Sequence, residues 1–398
     1  MNAQTAVADD YSASWYNPAG LHALSRPRTS FGFTGVWSGL SINGERREIE
    51  DPHGIFFGAS APVPFGGFLK DRLWVGVGLY LPWLDLVKAV GPAPDEAFFP
   101  LYDNRTQRLV ALPTMAVRIL PNLAIGASIN YLARLDGTVI SHEGAARGLE
   151  ADVNEHLAAT ASPIVGIRYD PIPEVSTGLA WRGEFRLPFR TATNNHVSGN
   201  LLILDIDATT LYSPHQISAA AAYRPIPDLT LALDFTWKFW SRYDGPFINV
   251  KVEMPDVLGV IEPGVPAVPF DDTFNLAAGG EYHLALPAGH DLFVRAGVGI
   301  EPSPLGTQEG PTNLLDGFKT MLSAGAGWAT ELEEKRRLAV DVHCQVQIVS
   351  EMTVDKTPGV LTDEDPATPG LQTSNPGYPT VSGGGSILSL GAGVSLTY

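Results

Sequence analysis

Apolar and polar residues alternate along most of this chain with a period of two. Between Val175 and Arg190, Val175, Leu179, Trp181, Phe185, Leu187 and Phe189 share one parity, and Arg182, Glu184, Arg186 and Arg190 hold the other. Leu229, Leu231, Leu233, Phe235, Trp237 and Phe239 oppose Asp234 and Lys238 in the same way. From Leu338 to Ile348 the apolar set opposes Asp341, His343 and Gln345, and Leu292, Val294, Val298 and Ile300 oppose Arg295. A helix would scatter such residues around its circumference, whereas a strand sends them to opposite faces. The pattern predicts long amphipathic strands.

In a soluble sandwich the apolar face would be the core, but the connections argue for a different solution. Short turns at 120–122, 170–173, 224–228, 286–291 and 330–335 alternate with long connections at 84–104, 141–156, 191–210, 249–272, 301–317 and 351–384. Such sorting belongs to a membrane-spanning antiparallel β-barrel with periplasmic turns and extracellular loops. The chain therefore reads as all-β, about fourteen strands starting near Thr29 and ending with one from Ser386 to Tyr398. The apolar parity then faces lipid and the charged parity faces the lumen, and the sheet closes because hydrocarbon tolerates no unpaired edge. A terminal aromatic, Tyr398, is the kind of ending that barrel assembly machinery reads.

Composition narrows the function. The 398 residues carry a net charge of −17, which argues against a nucleic-acid partner. Apolar residues make up 44% and charged residues 17%, too greasy a mixture for disorder. No run approaches the roughly 18 apolar residues of a membrane helix. The single cysteine, Cys344, excludes an internal disulfide framework, and the nine His fall in no ligand spacing, so no metal, cofactor or enzymatic reaction is expected. Met1 to Asp10 has neither a basic nor an apolar leader region, and since an outer-membrane protein must cross the inner membrane, the signal peptide is expected to have been removed.

A barrel of this size leaves a lumen unless it is plugged, and residues 1–28 lack strand alternation. Ala8-Asp9-Asp10 followed by Asn17-Pro18-Ala19-Gly20-Leu21 resembles the N-terminal hatch of the FadL family of outer-membrane transporters of long-chain fatty acids and aromatic hydrocarbons. Trp237-Lys238-Phe239-Trp240-Ser241-Arg242-Tyr243-Asp244 is similar to that family's Trp-x-x-Trp-Ser motif, and Asp272-Thr273-Phe274 with Arg295-Ala296-Gly297 to the segments after it. The resemblance implies a hatch over residues 1–28, carried by Asn17, Pro18 and Ala19, inside a barrel over residues 29–398. It also implies a Gram-negative outer-membrane location. The family's hatch begins with residues ahead of the Ala-Asp-Asp stretch, so its innermost tail is expected to be missing.

Candidate sites follow from the parity. Arg134, Arg182, Arg186, Lys238 and Arg295 are expected to point inward, where a cation would meet a fatty acid carboxylate. The competing reading is that they pair with Asp136, Glu184, Asp234 and Asp341 to stiffen a polar lumen. Pro82 ends the third strand and marks either simple termination or, by the resemblance, a kink that opens the wall sideways. Phe98, Phe99, Leu101 and Tyr102, with Val257, Leu258 and Ile261, place apolar surface in two long loops, as a capture groove or as a cover for the mouth. Together these readings predict a monomeric passive channel, embedded in outer-membrane lipid, for long-chain fatty acids or another hydrophobic small molecule. Uptake of neutral aromatic or alkane hydrocarbons is the alternative, and a lipid hydrolase or an adhesin barrel the alternative of another class.

Overall fold

In the computed structural model, which describes residues 3–67, 70–83, 96–103, 109–143, 149–197, 200–255, 259–262, 268–306, 308, 312–355 and 380–398, the alternating segments form a closed barrel of fourteen antiparallel strands. They are β1 (Arg28–Ile42), β2 (His53–Pro62), β3 (Leu73–Pro82), β4 (Val110–Leu120), β5 (Leu123–Glu143) and β6 (Leu149–Ile172). Then β7 comes in two segments, Val175–Arg182 and Phe185–Val197, as does β8, Asn200–Ser213 and Gln216–Ile226. The circuit continues through β9 (Leu229–Lys238), β10 (Thr273–Leu286), β11 (His290–Glu301), β12 (Lys319–Glu331), β13 (Arg337–Asp355) and β14 (Thr380–Thr397). β1 pairs with β2 on one side and with β14 on the other, from Arg28 opposite Thr397 to Ile42 opposite Gly383. No edge remains at this seam for solvent or lipid to contact.

The two faces separate as the alternation requires. On β9, Leu231, Leu233, Phe235 and Trp237 are exposed outward while Asp234 is buried inside. Val294, Val298, Leu322, Val342 and Leu390 continue the outer belt. So wide an apolar surface would aggregate in water and is stable against hydrocarbon. Cys344 sits opposite Ala324 and the outward Leu390, on the same parity as Val342. It should react slowly with water-soluble thiol reagents in the folded protein, about tenfold or more below the denatured chain. Labelling at equal rates, followed by mass spectrometry, would reverse the facing of β13.

Two expectations need correction. Within the expected loops 141–156 and 191–210, the described residues 141–143, 149–156, 191–197 and 200–210 are paired strand, because β5 and β6 stay paired out to Glu143 opposite Leu149 and β8 begins at Asn200. Outside the lipid band a strand no longer separates an apolar from a polar environment, so its alternation fades while its pairing persists. The second correction concerns Phe185 and Leu187, which parity sends to lipid. Both are buried, against the inward Leu132. The ladder between β6 and β7 stops at Ile164 opposite Arg182. Pro163 has no N–H to continue it, Gly183 N–H bonds the Pro163 carbonyl at 2.8 Å, and the upper segment of β7 turns inward.

The chain ahead of β1 lies within the cylinder. A helical turn (Ala13–Tyr16) and a 3-10 turn (Pro18–Ala23) meet at Asn17, whose Oδ1 accepts the Ala19 N–H at 3.2 Å. Asn17 Nδ2 donates to the carbonyls of Thr5 and, on β6, Ile167, both at 3.0 Å. Small residues make this close docking feasible: a Cβ at Gly126 would strike Pro18 and Ala19, and one at Gly166 would strike Asn17. Thr5 N–H bonds Asp234 Oδ2 on β9 at 3.0 Å. Leu21 is fully buried and clusters with Trp74 of β3. Burying side chains of this kind contributes about 1.5–3 kcal/mol each.

Candidate functional site

Above the N-terminal segment, at the end of the barrel opposite the tight turns, lies a cavity of about 280 Å³. Its aromatic wall comes from the end of β9 and the upper segment of β8. Lys238 ends β9, the chain turns through a short 3-10 helix (Trp240–Arg242), and Tyr243 stacks flat on Tyr212 with ring centres 4.4 Å apart. Phe270 lies 4.8 Å from Tyr243 and packs behind it with Phe98, Phe247 and Leu314. Stacked pairs of this kind contribute about 0.5–1.5 kcal/mol beyond area burial. Leu101 and Tyr102 close the opposite side, and Tyr102 is tied to β13 by the Gln347 amide, which donates to its hydroxyl. Burial pushes the Tyr243 phenol well above its ordinary value, so this wall stays neutral throughout the physiological range.

The charges around the cavity are spent on one another. Lys238 Nζ lies 2.5 Å from Glu301 Oε2, which also accepts from Asn275. Lys319 Nζ lies 2.5 Å from Asp316 Oδ2, both side chains being buried. Burial raises the Asp316 carboxyl, while the Lys319 ammonium pulls it the other way. On the floor, Gln216 Oε1 accepts from Arg182 Nη1 at 2.8 Å, and Arg182 Nη2 donates to the Trp15 carbonyl at 2.9 Å. The guanidinium also lies 4.1 Å over the Trp15 ring. Arg182 thus joins the cavity floor to the N-terminal segment.

The other expected sites divide. Arg186 reaches the mouth, held by Asp244 at 2.5 Å and Glu184 at 3.4 Å. Arg295 is clamped lower down, its Nε on Glu281 at 2.5 Å and its Nη1 on Asp341 at 2.6 Å. That second contact passes over Gly327 of the intervening β12, where a Cβ would collide with Asp341 Oδ1. The Arg134 and Asp136 side chains, Val257 and Leu258 lie outside the described residues, and Ile261 is exposed on a short strand (Gly259–Ile261) away from the cavity. Phe98 and Phe99 are fully buried in packing clusters, whereas Leu101 and Tyr102, together with Pro100, line the cavity. Pro82 is the last residue of β3, opposite Gly54, and β3 is paired on both sides from Trp74 to Tyr80.

Tyr212, Gln216, Glu301, Lys319 and Gln347 were not foreseen as cavity residues. Trp240 and Tyr243 stood inside the Trp-rich motif but carried no assigned role. Glu301 and Lys319 end and begin adjacent strands and sit opposite one another in the ladder, a pairing visible only once the register is known.

Residues 1–375 match the model of the family described as outer membrane protein transport protein (OMPP1/FadL/TodX). No curated protein matches the chain. Among solved structures, a Pseudomonas aeruginosa FadL homologue is 13% identical with a TM-score of 0.59, covering 100% of this chain and 95% of its own. The Ralstonia pickettii toluene transporter TbuX is 13% identical with a TM-score of 0.56, covering 100% and 96%. The P. putida toluene transporter TodX is 14% identical with a TM-score of 0.56, covering 98% and 94%. At these identities the likeness is one of fold.

Proposed function

The chain belongs to the OMPP1/FadL/TodX family of transport proteins of the Gram-negative outer membrane, and from that membership we propose that it takes up compact neutral hydrophobic molecules, aromatic hydrocarbons foremost, through the upper cavity. The family is one of channels for hydrophobic compounds and not of enzymes. The observation that carries the ligand reading is the pairing of Lys238 with Glu301 and of Lys319 with Asp316 beside the Tyr212–Tyr243 stack. A carboxylate ligand would have to displace a carboxylate already in place, whereas a neutral ring gains stacking and area burial at no such cost. Ligand is captured between Leu101, Tyr102 and the aromatic wall, and leaves when the hatch of residues 1–28 shifts or the wall opens near Pro82. One chain closes the barrel, so a monomer suffices, with β14 and Tyr398 offered to the assembly machinery.

Long-chain fatty acid uptake is the second reading, favoured by Arg182. Its guanidinium has no carboxylate within ion-pair distance among the described residues and bonds only neutral groups, Gln216 and Trp15. In lipid nanodiscs, naphthalene is expected to bind about tenfold more tightly than a long-chain fatty acid, the scale set by one displaced charge-assisted contact. Binding of both should survive Arg182→Gln within about threefold. A fatty acid preference that collapses in Arg182→Gln would reverse the order of the two readings.

A further inference from the structure

The charges beside the upper cavity cancel, but the hydrogen-bonding capacity of the Lys238–Glu301 pair is not used up. Glu301 is 7% exposed, and it belongs to the cavity lining. Its Oε2 accepts from Lys238 at 2.5 Å and from Asn275 at 3.3 Å, while its Oε1 has no partner among the described residues. An ammonium carries three N–H groups, and among the described residues Lys238 gives one of them to Glu301 and the others to no acceptor. An open acceptor and an open donor therefore sit side by side on one ion pair.

The strand register places this pair at the edge of the cavity. Lys238 is opposite Gln216 across β8 and β9, and Glu301 is opposite Lys319 across β11 and β12. The bridge between them spans β10 and joins a polar shelf over five neighbouring strands. Lys238 precedes Trp240 by two residues, and the shelf and the Tyr212–Tyr243 stack line the same space of about 280 Å³. The two glutamines of the lining already have partners: Gln216 is bonded to Arg182 and Ser213, and the Gln347 amide donates to Tyr102.

Functional groups differ in how much of this shelf they can use. A plain hydrocarbon gains from the aromatic wall alone. A carboxylate offers only acceptors and meets Glu301 as a like charge, and an ether offers an acceptor that Lys238 can serve and Glu301 cannot. A hydroxyl carries a donor and two acceptor lone pairs on one atom. It can donate to Glu301 Oε1 and accept from Lys238 Nζ while their bond to each other stays in place. Hydrogen bonds to ionised partners are about twice as strong as neutral ones.

We infer that the upper cavity selects phenols, the ring resting against Tyr212 and Tyr243 and the hydroxyl set between Glu301 Oε1 and Lys238 Nζ. The inference rests on the uptake of neutral rings proposed above and names the members of that class that use both halves of the cavity. Glu301 and Lys238 are then specificity residues, which read a hydroxyl without a net charge being presented to the ligand.

The test compares three ligands on the full chain in lipid nanodiscs, by equilibrium dialysis with empty discs subtracted. They are naphthalene, 2-naphthol and 2-methoxynaphthalene, the last keeping the oxygen and losing the donor. The parent protein is expected to bind 2-naphthol about tenfold more tightly than naphthalene, and the methoxy compound within about threefold of naphthalene. Lys238→Met combined with Glu301→Leu removes the pair without leaving a lone buried charge, and should shrink the ratio of 2-naphthol to naphthalene affinity to within about threefold. Equal binding of 2-naphthol and naphthalene by the parent would overturn the inference and leave the uptake of neutral rings standing. So would a methoxy compound that matches 2-naphthol, or a naphthol advantage that survives in the double variant. Binding of none of the three would instead sink the uptake reading itself, and this inference with it. Where the double variant loses its heat-modifiable gel shift, the three-ligand comparison on the parent decides alone.

Discussion

Asn17→Ala is expected to detach the N-terminal segment from the wall while the barrel stays folded. Asn17 is fully buried and its side chain makes three hydrogen bonds, one accepted and two donated. Its truncation leaves the carbonyls of Thr5 and Ile167 without that donor, and an unsatisfied buried polar group costs about 1–3 kcal/mol. Docking should therefore weaken by about 3–4 kcal/mol, which raises the open population by two to three orders of magnitude, at about 1.4 kcal/mol per tenfold. The barrel ladder contains none of these side-chain bonds and should be untouched. Hydrogen exchange of the amides from Thr5 to Leu24, beside heat-modifiable gel mobility, separates the two effects. Protection unchanged in the variant would show that the segment is held by packing on Gly126 and Gly166 and that its hydrogen bonds are incidental.

Tyr243→Ala should abolish high-affinity hydrophobic binding. The ring is 6% exposed, stacked on Tyr212 and backed by Phe270 and Trp240. Large-to-small changes at such sites cost about 3–5 kcal/mol for an aromatic ring, through lost burial and the void left behind. Most of that cost falls locally on the 3-10 turn after β9, so the cavity loses its wall and naphthalene affinity should fall by about a hundredfold. Tyr243→Phe keeps the ring and should bind within about threefold of the parent. If the alanine variant bound as well as the phenylalanine one, the ligand would lie elsewhere in the lumen.

The sequence made the lipid band legible because that band imposes a strict two-faced environment. Leu231, Leu233 and Phe235 against Asp234 read the same in the chain and in the fold. Legibility stopped where the environment changed. Beyond the band, β6 and β8 lengthen by pairing that leaves no alternation to detect, and past Pro163 the inward turn of β7 reverses the meaning of Phe185 and Leu187. Asn17-Pro18-Ala19 stands out in the chain as a turn, but the surface that receives it does not. Gly126 and Gly166 look like ordinary strand glycines until the segment lies against them. Charge was the least readable part. Parity marks candidate inward Arg and Lys, yet their meaning depends on partners such as Glu301 for Lys238 and Asp341 for Arg295, placed by a register that no local pattern encodes.

The interruptions of β7 and β8 fall at the same height. Arg182 opposite Gln216 is the last rung below, and Phe185 opposite Ser213 the first above, with residues 183–184 and 214–215 between them. Two adjacent strands broken in line make a crease, and bending along a crease is resisted by a few backbone torsions and not by a stiff sheet. The upper arms of β7 and β8 leave the wall there but are not loose, because Thr193 and Asn194 pair with Val139 and Ile140 of β5, and residues 203–207 pair with residues 249–253. The crease therefore sets a change of direction and not a free joint, and Tyr212, near its root, is held under a lintel of strands anchored at both ends.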